Sequence, residues 1–251
     1  MPRIHLLIVF LILCAIAAPV AAQDPKEPPP LWDASIGASF VGTSGNTDTS
    51  TLGAEAGAHR RWPIWQIEAT FVAIHTSDNG VSTAERYLGT FRADRKLTTL
   101  LSLTAGERLE ADRLSGISFR SITDGGLNWA LVRDPHWTLD GITSIGVNHE
   151  VPVIGESTND AVGVLGAVSK IVLGAAADTT QRFTYYPDFT NSSAYRMEAA
   201  ITAQAAMNDR LALKFGYLWR RSNNPQPTFL KDDSTATASI VVRWKASTPA
   251  P

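Results

Sequence analysis

Two histidines stand beside carboxylates, which is the arrangement in this sequence best suited to acid–base chemistry. His75 lies shortly before Asp78, and His149 directly precedes Glu150. A histidine oriented by a carboxylate can activate water for hydrolysis. No phosphate-binding loop, dinucleotide fingerprint, His-Glu-x-x-His helix or elbow serine accompanies them. A hydrolase with a loop or rim site is kept as an alternative, and the sequence predicts no catalytic residue, no metal site and no cofactor.

Charged side chains of both signs recur at alternate positions in segments whose other face is apolar. An Arg or Lys facing lipid costs about 2–4 kcal/mol at mid-bilayer, so a lipid-embedded sheet must turn such residues inward. Two interpretations stay open: a lumen filled by ion pairs, or a narrow polar conduit whose charges tune passage. The residues predicted to face the lumen are Glu55, Glu68, Arg86, Arg92, Arg108, Asp124, Asp140, Asp178, Arg182, Glu198, Lys214, Arg220 and Arg243.

The elements that must position these residues are β-strands. From Trp32 almost to the end of the chain, apolar and polar residues alternate with a period of two, and helical periodicity does not take hold. About twelve such segments can be counted, an even number, which suits a closed antiparallel barrel. The segments are 33–40, 51–59, 65–76, 85–93, 101–110, 119–132, 137–147, 161–170, 175–186, 196–205, 211–220 and 235–244.

The connections between the segments separate a membrane barrel from a soluble sandwich, which alternation alone does not do. Short connections at 60–63, 94–96, 133–136, 169–174 and 208–210 alternate with longer ones at 77–83, 112–118, 150–160, 187–194 and 223–234; the tight connection at 44–47 is an exception. Outer-membrane barrels sort short periplasmic turns from long external loops in this way. A soluble periplasmic β-protein remains the alternative.

Aromatic residues fall near the predicted strand ends, where they would form two interfacial girdles. Trp62, Trp65, Trp137 and Trp244 are assigned to the periplasmic side, and Tyr87, Phe183, Tyr185, Tyr217 and Trp219 to the external side. The last segment alternates Ile240, Val242 and Trp244 and resembles the C-terminal signal that the barrel-assembly machinery recognises. We therefore expect that machinery to be a partner during biogenesis.

The N-terminus has the pattern of an export signal. Arg3 precedes an apolar run from Ile4 to Ala18, and Val20-Ala21-Ala22 suits signal peptidase. We expect residues 1–22 to be a cleaved signal peptide, 23–31 an unpaired periplasmic leader, 32–244 the barrel and 245–251 a tail. An uncleaved anchor and a lipoprotein are the alternatives, the second disfavoured because Leu13 precedes Cys14.

Composition excludes several classes of protein. The one cysteine, Cys14, lies in the predicted signal, so the mature chain would hold no disulfide and no cysteine-ligated metal. A net charge of −2 gives no reason to expect a nucleic-acid partner. The mean hydropathy of −0.03 is compatible with a membrane barrel, since only alternate residues touch lipid.

Several motifs, taken in order, resemble the YdiY-like family of salt-induced outer-membrane proteins. They are Ser44-Gly45-Asn46-Thr47-Asp48-Thr49, Tyr185-Tyr186-Pro187-Asp188, Tyr195-Arg196, Leu211-Ala212-Leu213-Lys214, Ser222-Asn223-Asn224-Pro225 and Lys231-Asp232-Asp233-Ser234. The resemblance spans roughly the whole mature chain. It implies a barrel in the outer membrane and no defined activity, with a link to salt or envelope stress.

The sequence therefore predicts an all-β protein, a closed antiparallel transmembrane barrel of about twelve strands in the bacterial outer membrane. Its partner is the outer-membrane lipid. Its role is expected to be structural or that of a narrow passive conduit, not that of an enzyme.

Overall fold

The computed structural model describes residues 31–43 and 49–245, which form twelve β-strands and one short 3-10 helix. The strands are β1 (Trp32–Thr43), β2 (Thr49–Arg61), β3 (Trp65–Asp78), β4 (Val81–Lys96), β5 (Leu101–Asp112), β6 (Ile117–Arg133), β7 (Trp137–Pro152), β8 (Thr158–Val172), β9 (Ala177–Tyr186), β10 (Arg196–Ala206), β11 (Leu211–Ser222) and β12 (Asp232–Lys245). The helix, Arg113–Ser115, lies between β5 and β6. The predicted signal (1–22) and all but the last residue of the predicted leader (23–31) lie outside the described residues.

The strands form a closed antiparallel barrel in which each strand pairs with its neighbours in sequence and β12 returns to β1. Closure runs from the Asp33–Lys245 pair to the Ser39–Ser239 pair. A closed sheet leaves no strand edge with unpaired backbone groups, which lipid does not tolerate. The predicted fold class is confirmed. None of the helices in the described part of the chain is long and apolar enough to cross a bilayer.

The barrel has an apolar outer face and a polar inner face. In β1, Ile36 and Phe40 point outward with 57% and 71% of their surface exposed, whereas Ser39 points inward and is buried. Paired residues on neighbouring strands share a face, so the register extends this assignment around the barrel. The exposed outward residues include Leu52, Phe71, Phe91, Leu103, Leu109, Ile145, Leu165, Phe183, Leu213, Phe215 and Ile240.

A carboxylate interrupts this outer belt. Glu107 on β5 is paired in register with Phe91 and Thr123, and all three side chains point outward. The Thr123 hydroxyl donates a hydrogen bond of 2.5 Å to Glu107 Oε2. The rule that charges turn inward therefore has an exception in the middle of β5.

The connections lie on two rims. The terminal rim, where β1 begins and β12 ends, carries the turns at 62–64, 97–100, 134–136, 173–176 and 207–210, and the loop rim carries those at 79–80, 113–116, 153–157, 187–195 and 223–231. The connection at 44–48 lies outside the described residues. Three predicted connections are wrong: residues 94–96 continue β4, residues 169–172 continue β8, and the expected loop 77–83 is a two-residue turn. There Asn79 and Gly80 both adopt positive φ, the conformation that a tight hairpin requires.

The loop at 223–231, here called the lid loop, crosses the mouth of the barrel at the loop rim. It starts between β11 and β12 but reaches the turns on the opposite side. The Ile154 amide donates to Gln226 Oε1 at 3.2 Å. The Phe229 ring packs on Gly116, where an added Cβ would lie 3.2 Å from the ring. These contacts cover the mouth.

The interior is packed unevenly. On the β6, β8 and β9 side, Ile122, Val162, Val164 and Tyr186 form a buried apolar cluster inside the barrel. The opposite wall carries small inward residues instead: Ser35, Gly37, Ser39, Gly53, Gly57, Ala200, Thr202, Gly216, Thr235, Thr237 and Ser239. Large side chains therefore fill one half of the lumen and leave space in the other.

Candidate functional site in the barrel lumen

The strand register places the thirteen charged residues named from the sequence on a single face of the sheet, the one opposite Ile36 and Phe40. Contacts identify that face as the interior. Arg108 Nη2 on β5 lies 2.6 Å from Glu198 Oε1 on β10, although four strands separate β5 from β10 in the barrel. Such a contact is made only across the lumen.

Glu110 is the centre of the largest group of ion pairs. Its side chain is 1% exposed, and four guanidinium groups surround it. Oε1 lies 3.0 Å from Arg86 Nε and 3.3 Å from Arg220 Nη1. Oε2 lies 3.3 Å from Arg108 Nη2 and 3.6 Å from Arg120 Nη1. One carboxylate thus holds arginines from β4, β5, β6 and β11 together.

Further carboxylates contact Arg120 and Arg220 on the side away from Glu110. Glu150 Oε2 accepts from Arg120 at 2.7 Å, and Asp112 Oδ2 accepts from Arg220 at 2.7 Å. Asp233 lies 3.5 Å from Arg220 and accepts a hydrogen bond of 3.0 Å from the Ser115 hydroxyl. Each of the four arginines around Glu110 has at least one carboxylate partner, which is the condition for keeping its charge in a low-dielectric interior.

Arg196 completes this group from β10. Its guanidinium lies 5.1 Å from the centre of the Tyr186 ring and donates to Asn148 Oδ1 at 3.3 Å. The ion-pair layer is defined here as Arg86, Arg108, Glu110, Asp112, Arg120, Glu150, Arg196, Glu198, Arg220 and Asp233, and its five cations and five anions balance. Together with the apolar cluster it blocks much of the lumen towards the loop rim.

The other predicted charges lie outside the layer. Arg92 lies 3.2 Å from Asp124, and Lys214 lies 2.6 Å from Glu55. Near the terminal rim Asp140 pairs with Arg133, Asp178 lies 3.5 Å from Lys170, and Arg243 donates to the Asn208 carbonyl at 3.4 Å. Glu68 is directly opposite Arg92 in the register. Arg182 makes no hydrogen bond or ion pair within the described residues and projects into the lumen.

The sequence reasoning missed the central residues of the layer. Glu110, Asp112, Arg120, Glu150 and Arg196 were not assigned to the lumen. The alternation of side chains could have identified two of them. Glu110 is two positions from Arg108 on β5, and Arg120 is four positions from Asp124 on β6, so each lies on the same inward face as the predicted residue. Asp112 follows a register irregularity after Glu110, which hides its parity.

A cavity of about 410 Å³ occupies the half of the lumen with small side chains. It lies between β1–β4 and β10–β12, and its wall combines serine and threonine hydroxyl groups with apolar side chains. The ion-pair layer forms its boundary through three residues, Arg86, Arg108 and Glu198. The charged residues lining it are Arg86, Arg108, Arg182, Lys214, Glu55, Glu68 and Glu198.

The histidine–carboxylate neighbours of the sequence do not form acid–base pairs in the structure. His149 and Glu150 are consecutive strand residues, so their side chains point to opposite faces: His149 bonds Asn159 at 2.9 Å, and Glu150 bonds Arg120. His75 points outward and lies 3.4 Å from the Ser82 hydroxyl. Among the described residues, no group of three His, Cys, Asp or Glu is arranged to hold a metal ion.

The outer surface near the terminal rim carries the residues predicted for assembly and anchoring. Ile240, Val242 and Trp244 point outward from β12 and pair with Ala38, Ile36 and Ala34 of β1. Exposed tryptophans form a ring at this rim: Trp32, Trp62, Trp65, Trp137 and Trp244. Arg60 and Arg95 stack on Trp62 and Trp65, with guanidinium-to-ring distances of 4.8 and 6.0 Å.

Comparison with known proteins gives a family. Residues 36–244 match the family model described as "Protein of unknown function, DUF481", with which the YdiY-like resemblance is consistent. Among curated proteins, none matches this chain. The solved structures to which the barrel is similar include an outer-membrane channel, a porin and a translocator domain. The COG4313 outer membrane channel from Pseudomonas putida F1 has 10% identity over 90% of this chain and 100% of that one, with a TM-score of 0.49.

Two further similar structures are a porin and a translocator domain. The NanC porin has 12% identity over 86% of this chain and 100% of that one, with a TM-score of 0.47. The translocator domain of the autotransporter NalP from Neisseria meningitidis has 11% identity over 96% of each chain, with a TM-score of 0.45. At these identities no residue's role can be transferred to this chain.

Proposed function

Because this chain belongs to the DUF481 family of proteins of unknown function, its family supplies no activity, and we propose from its lumen that it is a narrow passive conduit for small polar solutes in the bacterial outer membrane. The observation that carries the proposal is the cavity of about 410 Å³, lined by hydroxyl and charged groups, inside a closed barrel with an apolar exterior. A barrel built only as a membrane anchor has no need of an internal cavity with charged groups in its wall.

The apolar exterior supports membrane residence. Exposed Ile145, Phe215 and Ile240 are compatible with lipid but would be a liability in water. In this proposal the terminal rim faces the periplasm, residues 1–22 are a cleaved signal, 23–31 a leader and 245–251 a tail. Ile240, Val242 and Trp244 would be read by the barrel-assembly machinery. The oligomeric state is left open.

The proposed conductance is small because two barriers lie between the cavity and the loop rim. The ion-pair layer fills the lumen around Glu110, and the lid loop covers the mouth through Phe229 and Gln226. Solutes must pass beside the layer along the wall of small residues. Ions and small polar molecules fit such a passage, whereas folded proteins and polymers do not.

A paired fractionation and conductance experiment tests this function. We expect the protein to sediment with membranes, to need detergent for extraction, and to show heat-modifiable gel migration. In planar bilayers we expect small single-channel steps that grow when lid residues 225–229 are replaced by two glycines. Release by osmotic shock without detergent would contradict membrane residence. An absence of conductance steps in both the wild type and the lid-loop variant would contradict the conduit. It would favour a structural barrel, a role that the many buried ion pairs also suit.

Two earlier possibilities have their own tests. A hydrolase would lose activity in the His75→Ala or His149→Ala variant, whereas a conduit would keep its conductance in both. A role in salt or envelope stress stays a prediction, to be checked by the growth of a deletion strain at high osmolarity.

A further inference from the structure

Among the described residues, Arg182 is the cation lining the lumen cavity that forms no ion pair. The other three cations lie beside carboxylates: Lys214 is 2.6 Å from Glu55, Arg108 is 2.6 Å from Glu198, and Arg86 is 3.0 Å from Glu110. Glu68 stands opposite Arg92 in the register and also forms no ion pair with the described residues. The cavity lining carries four cations and three carboxylates.

The neighbours of Arg182 explain why no carboxylate reaches it. On its two sides the register places Val168 and Ala200, which are apolar and short. The next inward residues beyond Ala200 are Leu218 and Thr235, which also line the cavity. A guanidinium in this position has open space in front of it and no ion pair with the described residues, a combination that attracts an anion.

Two neighbouring arginines of the cavity wall are already held by the ion-pair layer. Arg86 lies 3.0 Å from Glu110 through Nε and 4.0 Å from Glu198 through Nη2. Arg108 lies 2.6 Å from Glu198 and 3.3 Å from Glu110. Arg182 is exposed instead, so its guanidinium is open to a solute in the cavity.

We propose that the cavity is a binding site for small carboxylate- or phosphate-bearing anions, with Arg182 supplying the charge and the hydrogen-bond donors. Guanidinium groups bind the oxygens of carboxylates and phosphates with charge-assisted hydrogen bonds, which are the strong ones. Hydroxyl groups of Thr202, Thr235 and Thr237 line the wall and suit the polar remainder of such a solute. This inference rests on the proposed function, since it names the class of solute for the same cavity.

Titration calorimetry on the purified barrel in detergent tests the site without requiring transport. The probes are succinate and inorganic phosphate, with glucose as the neutral control. We expect saturable binding of succinate or phosphate to the wild type, none of glucose, and a loss of affinity of about tenfold or more in Arg182→Gln. Arg113→Gln makes the same charge change on the exposed helix at the loop rim and should bind as the wild type does.

The outcomes separate this inference from the proposed function. Equal affinity in wild type and Arg182→Gln, or no binding of either anion, overturns the anion site even if the barrel conducts. Binding that depends on Arg182 in a barrel without conductance retains the site and removes the conduit. In bilayers with a KCl gradient, a conducting wild type should prefer chloride, and Arg182→Gln should shift the reversal potential towards potassium; a reversal potential that does not respond to Arg182→Gln contradicts the inference.

Discussion

Arg86 and Glu110 face each other inside the barrel, with Nε and Oε1 3.0 Å apart and with side chains that are 6% and 1% exposed. The two residues are 24 positions apart in the chain, and their hydrogen bond joins β4 to β5. The pair fixes the centre of the ion-pair layer. The predictions below follow from this layer, from the two faces of the sheet and from the lid loop.

Replacing Glu110 by Gln should destabilise the folded barrel. The change removes the negative charge shared by Arg86, Arg108, Arg120 and Arg220, and breaking a buried ion pair costs about 3–5 kcal/mol. The measurement is the free energy of unfolding in urea, followed by heat-modifiable gel migration. Glu156→Gln, in the exposed turn at 153–157, is the matched control and should leave stability unchanged. Equal stability of both variants would mean that the layer contributes nothing.

Arginine should be tolerated on the inner face of the barrel and rejected on the outer face. Ile145 is 71% exposed and points outward from β7, and Ile145→Arg should cost about 2–4 kcal/mol of stability in lipid vesicles. Thr237→Arg places the same side chain in the cavity, where water is available, and should cost much less. The test compares unfolding free energies of both variants in the same vesicles. If Ile145→Arg is the milder change, the apolar belt does not face lipid.

Glu107→Leu should stabilise the barrel in lipid. The carboxylate points outward between Phe91 and Thr123, and a leucine there would extend the apolar belt. We expect a gain of about 1 kcal/mol, since an acidic residue on the lipid face costs less than a basic one. Glu107→Gln keeps a hydrogen-bonding group for Thr123 and is the control, with an intermediate stability. A loss of stability in Glu107→Leu would show that Glu107 has a favourable partner on that surface.

Thr228→Gly should stabilise the lid loop. Thr228 has a φ of 78°, a left-handed conformation that is strained for a β-branched residue. It follows Pro227 in a turn closed by the Phe229 amide on the Gln226 carbonyl at 3.1 Å, a position where glycine is favoured. Relief of the strain should add about 1 kcal/mol to the unfolding free energy. Ser192→Gly, in an exposed loop and without positive φ, should give no gain; a similar gain there would point to a general effect of glycine.

Strand positions and faces were predictable because side-chain period and hydrophobicity are local properties. The last strand illustrates this, since Ile240, Val242 and Trp244 alternate with inward residues both in the sequence and in the barrel. Turn boundaries were less predictable. Asp94 looks like a turn residue in a run of charges, yet its inward side chain accepts a hydrogen bond of 2.9 Å from Gln66 and so stays in the strand.

The composition of the site was partly predictable and its connections were not. Alternation indicated that Arg108 and Glu198 would both face inward, but it held no information that they would meet. Their separation of 90 positions is bridged only when the sheet closes. The same holds for the lid loop, whose contact between Gln226 and Ile154 depends on the curvature of the whole barrel.

The amino-acid sequence by itself therefore determined which residues form strands and which of their side chains turn away from lipid, because a two-residue repeat assigns faces without reference to any partner. Tertiary structure alone decided that Glu110 gathers four arginines, that Arg182 has no ion pair with the described residues and that a cavity lies beside them. Those features depend on strand tilt and on the sizes of side chains that meet across the lumen, and both are set only when the first strand pairs with the last.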